Sequence, residues 1–126
     1  MTAIAGDIPD YNCKSAKRDR VMLCGEQTIG AAGAVGTLVA DDPGLTITKN
    51  ASTGTYDIVY PKAIAAKLLC QLVSAAGTVK IVNTVAISAS AGTAQIVTSA
   101  PGGSATNPAS GDVIHLMLML DKRSDS

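Results

Sequence analysis

The stretch that decides the fold is Asp112-Val-Ile-His-Leu-Met-Leu-Met-Leu-Asp121. Between its two aspartates lie eight residues, seven of them large and apolar, and a segment rich in Gly and Pro (residues 101–111) precedes them. A run this short, entered from turn residues and ended by a charge, is typical of a strand buried on both faces and is too short to span a membrane. A helix is the alternative interpretation, because Leu and Met are good helix formers.

Alternate side chains of a strand point to opposite faces, so this stretch has an even-numbered and an odd-numbered face. Nothing in the sequence resembles the long amphipathic helices that would cover a second apolar face. We therefore predict that one face forms the core of the domain and that the other is a candidate subunit interface, where the flexible thioethers of methionine suit an irregular contact. The predicted core face carries Ile114, Leu116, Leu118 and Leu120, and the predicted interface carries Val113, His115, Met117 and Met119.

Length and charge limit the class of protein. The 126 residues suit one domain, which we divide into an N-terminal arm (residues 1–20) and a single β domain (residues 21–126). Ten basic residues balance ten acidic ones, so no global field favours nucleic acid or a membrane surface as a partner. The three cysteines are odd in number and lack the paired short spacing of a zinc site. No apolar segment is long enough for a membrane span. We therefore predict synthesis as a soluble protein in a reducing cytoplasm.

The predicted arm contains a basic cluster and little apolar periodicity. One interpretation is a solvated terminus with scattered charge, and the other is an arm that docks on an acidic neighbouring surface. The cluster consists of Lys14, Lys17, Arg18 and Arg20.

Short segments rich in Val, Ile and Thr follow one another along the rest of the chain, separated by turn residues about every ten positions. They predict an all-β fold, an antiparallel β-sandwich or a jelly-roll-like barrel. Residues 62–74 are ambiguous, because Ile64, Leu68 and Leu72 recur at helical spacing, but we favour a strand over residues 67–74. The other predicted strands cover residues 21–24, 37–40, 45–48 and 54–61, with Tyr56, Ile58 and Tyr60 on one face, and residues 79–90 and 93–99, which form a hairpin.

Candidate chemistry is sparse. The spacing of Gly30, Gly33 and Gly36 matches neither a dinucleotide fingerprint nor a P-loop, so close backbone packing or a bulge is expected there. His115 is the single histidine, and its mid-strand position favours a core or interface role over general base catalysis. We predict no catalytic residue, no cofactor and no metal; a small enzyme that uses Cys70 and His115 is the disfavoured alternative.

Two strings resemble decoration (cement) and head-fibre proteins of tailed bacteriophages. They are Thr53-Gly-Thr-Tyr-Asp-Ile-Val-Tyr-Pro61, similar to a "tGxYxVxFP" strand with Tyr60 in place of the usual phenylalanine, and Gly111-Asp-Val-Ile-His-Leu-Met-Leu-Met-Leu-Asp121, similar to a closing "GDxIxLxLxL" strand. The resemblance covers roughly residues 25–121, and both motifs are degenerate.

The resemblance implies a β-sandwich or jelly-roll-like domain that forms a homotrimer on the capsid surface of the virion. The major capsid protein would be its partner, sometimes gripped through an N-terminal arm, and no catalytic residues come with the family. That the basic cluster supplies the contacts of such an arm is our own hypothesis. A trimeric tail or receptor-binding module, with residues 102–111 as its binding loop, is the alternative expectation.

Overall fold

The computed structural model describes residues 20–40 and 43–121, and these residues form an all-β antiparallel sandwich. A short 3-10 helix (Ala31–Gly33) connects the first two strands. The described strands are β1 (Arg20–Ile29), β2 (Val35–Ala40), β3 (Thr46–Lys49), β4 (Thr55–Val59), β5 (Ala65–Val73), β6 (Ile81–Ser88), β7 (Thr93–Ser99) and β8 (Val113–Asp121).

The strands pair into two four-stranded sheets. Sheet A has the order β2-β1-β8-β5, and sheet B has the order β3-β4-β7-β6. The stretch that opened the sequence analysis is β8, which pairs with β1 on one side and with β5 on the other along nearly its whole length. All of these pairings are antiparallel, so the predicted fold class is confirmed in its sandwich form.

The core lies between the two sheets and follows strand parity. The even-numbered side chains of β8 are at most 2% exposed, and they belong to one apolar cluster with Tyr56, Ile58 and Ile96 from sheet B. Burial of these aliphatic side chains is the main stabilising term of a domain that contains no Phe or Trp. The predicted core face of β8 is confirmed.

All of the other predicted strands are also present, most of them with shifted ends. The ambiguous residues 62–74 contain a strand, β5, and the predicted hairpin is the β6–β7 pair. Tyr56, Ile58 and Tyr60 are all buried, as their common face predicts. The first strand is longer than the predicted residues 21–24, because β1 continues to Ile29 by pairing with β2 and β8.

The Gly/Pro-rich segment before β8 is fastened to sheet B. Gly54 has a φ of +68°, and a Cβ at this position would lie 2.6 Å from the carbonyl oxygen of Thr106 and 2.7 Å from that of Thr98. Its N–H donates to Asn107 Oδ1 (2.8 Å). Only glycine allows this approach without a backbone shift, so the segment meets β4 and β7 at a fixed point.

Asp112, at the start of β8, ties three segments together. Its carboxylate is fully buried and accepts hydrogen bonds from the Lys80 ammonium and from the N–H groups of Ala75 and Ala109. Burial alone would raise the pKa of this carboxyl, but the hydrogen bonds and the charge of Lys80 outweigh it and lower the pKa below its ordinary value. Asp112 therefore sets the point at which β8 enters the sheet.

Candidate functional site

The outer face of sheet A is formed by side chains of opposite parity to the core. In β8 these are the odd-numbered residues, and strand register places partners from β1 and β5 on either side of each. Directly opposite side chains on one face of a sheet are about 4.5–5.5 Å apart at Cβ, so each set forms a contiguous row. The rows run Met22–Met119–Lys67, Cys24–Met117–Leu69, Glu26–His115–Gln71 and Thr28–Val113–Val73.

This outer face is largely apolar, and residues 20–40 and 43–121 do not cover it. Met117 is 39% exposed, Leu69 is 66% exposed and Val39, on β2, is 70% exposed. The expectation that β8 is buried on both faces is therefore met only on its core side, because the described chain places nothing over the other side. An apolar surface of this kind on a protein typically marks an interaction site.

One polar row crosses the apolar face. Glu26 and Gln71 flank His115 in the register, and all three belong to the outer face. His115 is half-buried, and Glu26 and Gln71 are exposed. A partner that covered this face would have to offer hydrogen-bonding groups to this row, because buried polar groups without partners are costly. That requirement would fix the orientation of the partner.

A groove crosses the four strands near the middle of this face. It encloses about 520 Å³, with Cys24, His115 and Met117 on the two central strands and Val39 and Leu69 on the two edge strands. We call it the outer groove. Its lining is mainly apolar, so it suits an apolar side chain of a partner better than a charged ligand.

The outer face of sheet B has a different character. Asp57, near its centre, accepts hydrogen bonds from Asn50 Nδ2 (2.9 Å) and Gln95 Nε2 (3.0 Å). These bonds lower the pKa of Asp57, which keeps the carboxylate ionised. Thr48 and Thr93, on the two strands that flank β4, are exposed on this face, which also carries the exposed apolar side chains of Val59 and Ile81.

Cys70 and His115 lie on opposite sides of sheet A. Cys70 pairs with Leu116 and shares its core-facing parity, whereas Gln71 is the residue opposite His115. Burial raises the pKa of the Cys70 thiol to about 11, with a hydrogen bond to Thr84 acting in the other direction. The pair that the disfavoured Cys/His enzyme would need is not brought together.

The predicted capsid-contact arm falls mostly outside the described residues. Lys14, Lys17 and Arg18 belong to the part that the structure does not describe. Arg20 is the first residue of β1, and its guanidinium binds the Asp121 carboxylate through Nε–Oδ1 (2.7 Å) and Nη2–Oδ2 (3.3 Å). Arg20 thus joins the ends of β1 and β8.

The described ranges, 20–40 and 43–121, contain no group of three or more His, Cys, Asp or Glu side chains that could hold a metal ion. Within the same ranges, no helix is long and apolar enough to cross a membrane. Comparisons with protein-family models, with curated proteins and with solved structures found no match to this chain. The candidate site therefore rests on geometry alone.

Proposed function

We propose that this chain is a structural virion protein that decorates and stabilises a tailed-phage capsid as a homotrimer bound across subunits of the major capsid protein. The observation that carries the proposal is the exposed, largely apolar outer face of sheet A, with its groove, in a domain that otherwise follows strand parity closely. The two strand motifs that resemble phage decoration proteins are β4 and β8, and β8 forms the centre of this face.

Such a role depends on how much surface the protein can bury against its partners. Stable protein interfaces bury about 800 Å² on each partner, a demand that one face of a four-stranded sheet can meet. A closed trimer would bring three copies of every weak capsid contact to one site of local threefold symmetry, and modest contacts then multiply through avidity. Mechanical opening of the shell would have to break all of them together.

The oligomer is tested first, by light scattering on the purified protein. A trimer at micromolar concentration is the expected result, because apolar faces of this kind are unstable in water when uncovered. A stable monomer at that concentration would contradict the trimer.

Capsid binding is tested by cosedimentation with capsids that lack the protein. We expect saturable binding of the intact chain and weaker binding of a variant without residues 1–19, which leaves the Arg20–Asp121 pair of the sandwich in place. A matched variant with Lys14, Lys17 and Arg18 all changed to Gln keeps the arm and removes its charge. Unchanged binding of both variants would contradict the role of the arm, and no binding of the intact chain would contradict the function.

Location in the virion separates this function from the rival tail or receptor-binding module. Antibody-labelled electron microscopy of virions should place the protein over the capsid shell. Label confined to the tail tip would favour the rival, which shares the same fold and oligomeric state.

A further inference from the structure

A pocket of about 330 Å³ lies on the outer face of sheet B, across β4, β7 and β6. We call it the Asp57 pocket. The last residues of β4 and β6 and the first residue of β7 line it, so it opens at one end of the sheet. Its outward-facing lining combines one carboxylate, one amide, two hydroxyl groups and two small apolar side chains, from Asp57, Gln95, Ser88, Thr93, Val59 and Ala86.

The Asp57 pocket presents a negative charge and hydrogen-bond acceptors. The Asp57 carboxylate accepts one amide hydrogen bond on each oxygen, from Asn50 Nδ2 (2.9 Å) and Gln95 Nε2 (3.0 Å), and each oxygen can accept another. Among residues 20–40 and 43–121, no lysine or arginine forms an ion pair with it. A lysine or arginine side chain therefore fits the pocket, because it supplies charge and N–H donors and its aliphatic stem can pack on Val59.

The chain that precedes β1 joins the sandwich at the same end as this pocket. Strand β1 begins at Arg20, whose side chain is paired with that of Asp121. The Asp121 carbonyl accepts a hydrogen bond from the Ile64 N–H (2.7 Å), and the neighbouring Ala63 N–H donates to the Ala89 carbonyl (3.0 Å). Ala89 directly follows β6, which forms one side of the pocket. A short run of contacts around one end of the sandwich thus connects the start of β1 with the pocket.

The distance around this end selects one residue of the basic cluster. Packed sheets are about 10 Å apart, and Asp57 lies two residues, about 7 Å, before the end of β4. A chain that passes from Arg20 to the outer face of sheet B must therefore span roughly 20 Å. Lys14 precedes Arg20 by six residues, which span about 20 Å when extended. Lys17 and Arg18 are nearer in sequence, and their segments span only about 10 Å or less.

We propose that Lys14 of the N-terminal arm binds in the Asp57 pocket of its own chain, with the ammonium on the carboxylate and the stem along Val59 and Ala86. An ion pair of this kind is weak and screened by salt, so a stronger acidic surface can displace it. The pocket is then an autoinhibitory site that withholds the arm from competing partners. The docking is a property of the single chain, and only its effect on capsid binding rests on the proposed function.

Carbodiimide crosslinking of the intact chain tests the contact, because it joins an amine to a carboxylate that lies against it. Mass spectrometry of the digest should identify a product that joins Lys14 to Asp57, with a yield that falls as salt is added. Asp57→Asn should abolish this product and should tighten binding to capsids by up to about fivefold, because the arm is released. Glu26→Gln, which removes an exposed carboxylate from sheet A, is the matched control and should change neither result.

The outcomes separate this inference from the proposed function. Absence of the Lys14–Asp57 product, or a product of Lys17 or Lys62 with Asp57 in its place, would overturn the docking. So would a product that forms only between copies in a mixture of unlabelled and nitrogen-15-labelled protein. Unchanged capsid binding by Asp57→Asn would overturn the autoinhibition alone. Failure of the wild type to bind capsids would contradict the proposed function and leave the docking standing.

Discussion

The outer faces of sheets A and B share one pleated geometry and carry different side chains. On sheet A, Met117 and Leu69 stand in one row across the centre, and Val39 flanks the same groove. On sheet B, the central position belongs to Asp57, whose carboxylate is held by Asn50 and Gln95. Strand parity assigns all of these residues to the outside of the sandwich, so parity alone does not distinguish a surface for water from a surface for a partner.

The two faces differ in how favourably their side chains interact with water. Hydroxyl, amide and carboxylate groups on sheet B are hydrated, and the hydrogen bonds that lower the pKa of Asp57 keep it charged. Thioether and aliphatic groups on sheet A lower the free energy only when they are removed from water, by roughly 25 cal/mol per Å² of apolar surface buried. The apolar groups at the centre of sheet A therefore favour a contact with another protein surface more than the polar groups around Asp57 do.

The largest effect should come from a pair of neighbouring substitutions in β8. Leu118 is fully buried, and Met117 is 39% exposed. Leu118→Asp removes core packing worth about 2–5 kcal/mol and buries a carboxylate without a partner, which together can exceed the stability of a small domain. Met117→Asp should leave a folded β domain that no longer associates. Circular dichroism with thermal melting checks the fold, and light scattering checks the mass.

Equal loss of structure in both variants would remove the basis of the comparison, since it would mean that the two faces of β8 are not distinct. A folded Met117→Asp variant that still forms the wild-type oligomer would move the interface elsewhere. Met117→Leu is the matched control, because it keeps the apolar character of the face and should change neither result.

A second prediction concerns Asp112, at the start of β8. Asp112→Ala removes the buried acceptor of Lys80, Ala75 and Ala109. Loss of one partner of a buried pair costs about 3–5 kcal/mol, and we expect the lower end because the Lys80 side chain is 21% exposed and can turn to water. Chemical denaturation measures the loss, and an unchanged midpoint would show that this contact does not stabilise β8.

The contribution of the same contact can be measured independently from the pH dependence of the free energy of unfolding. The folded pKa of Asp112 lies below the unfolded value of about 3.9, so its contribution is present above about pH 4 and is lost as the pH falls through the folded pKa. The free energy of unfolding should therefore fall less on acidification in Asp112→Asn than in the wild type. Parallel profiles for the two proteins would assign the acid sensitivity to other carboxylates.

Local pattern predicted the core side of this fold well, for a physical reason. The period-two alternation of β8 and the common face of Tyr56, Ile58 and Tyr60 are properties of adjacent residues, and the structure confirms both. The ambiguity over residues 62–74 arose because Leu68 and Leu72 satisfy helical and strand spacing alike. Pairing of β5 with β8, about 50 residues away in sequence, decided it, and propensity does not contain that information.

The candidate site was only half predictable. The odd-numbered residues of β8 were expected at an interface, but the groove is also lined by Val39 and Leu69, which the strand order β2-β1-β8-β5 places on its two sides. The buried contact of Asp112 has no local sign in the sequence, because its partner Lys80 is 32 positions away. The bulge at Val85 of β6 likewise depends on the register with β7, which slips between Thr84 and Ala86, and a run of Val and Ile gives no local sign of it.

A third prediction sharpens the comparison from the side of sheet B. Asp57→Asn removes the ionised acceptor between Asn50 and Gln95 but keeps an amide that can still accept one bond. The loss of stability should be about 1 kcal/mol or less, and the oligomer should be unchanged. Because the pKa of Asp57 is lowered, its contribution too is present above about pH 4 and absent in acid. Dissociation of the oligomer by this change would show that sheet B also takes part in association.

The smallest effect is expected at the end of sheet A, where Arg20 meets Asp121. The two side chains are 27% and 13% exposed, and a partly solvated pair of this kind contributes about 0–1 kcal/mol, less at high salt. Arg20→Gln should therefore hardly change the melting temperature, and a double-mutant cycle with Asp121→Asn would measure the pair alone. Cosedimentation of Arg20→Gln with capsids then decides which role the residue has. Full binding would assign Arg20 to the sandwich, whereas weaker binding by an equally stable variant would extend the capsid-contact arm as far as β1.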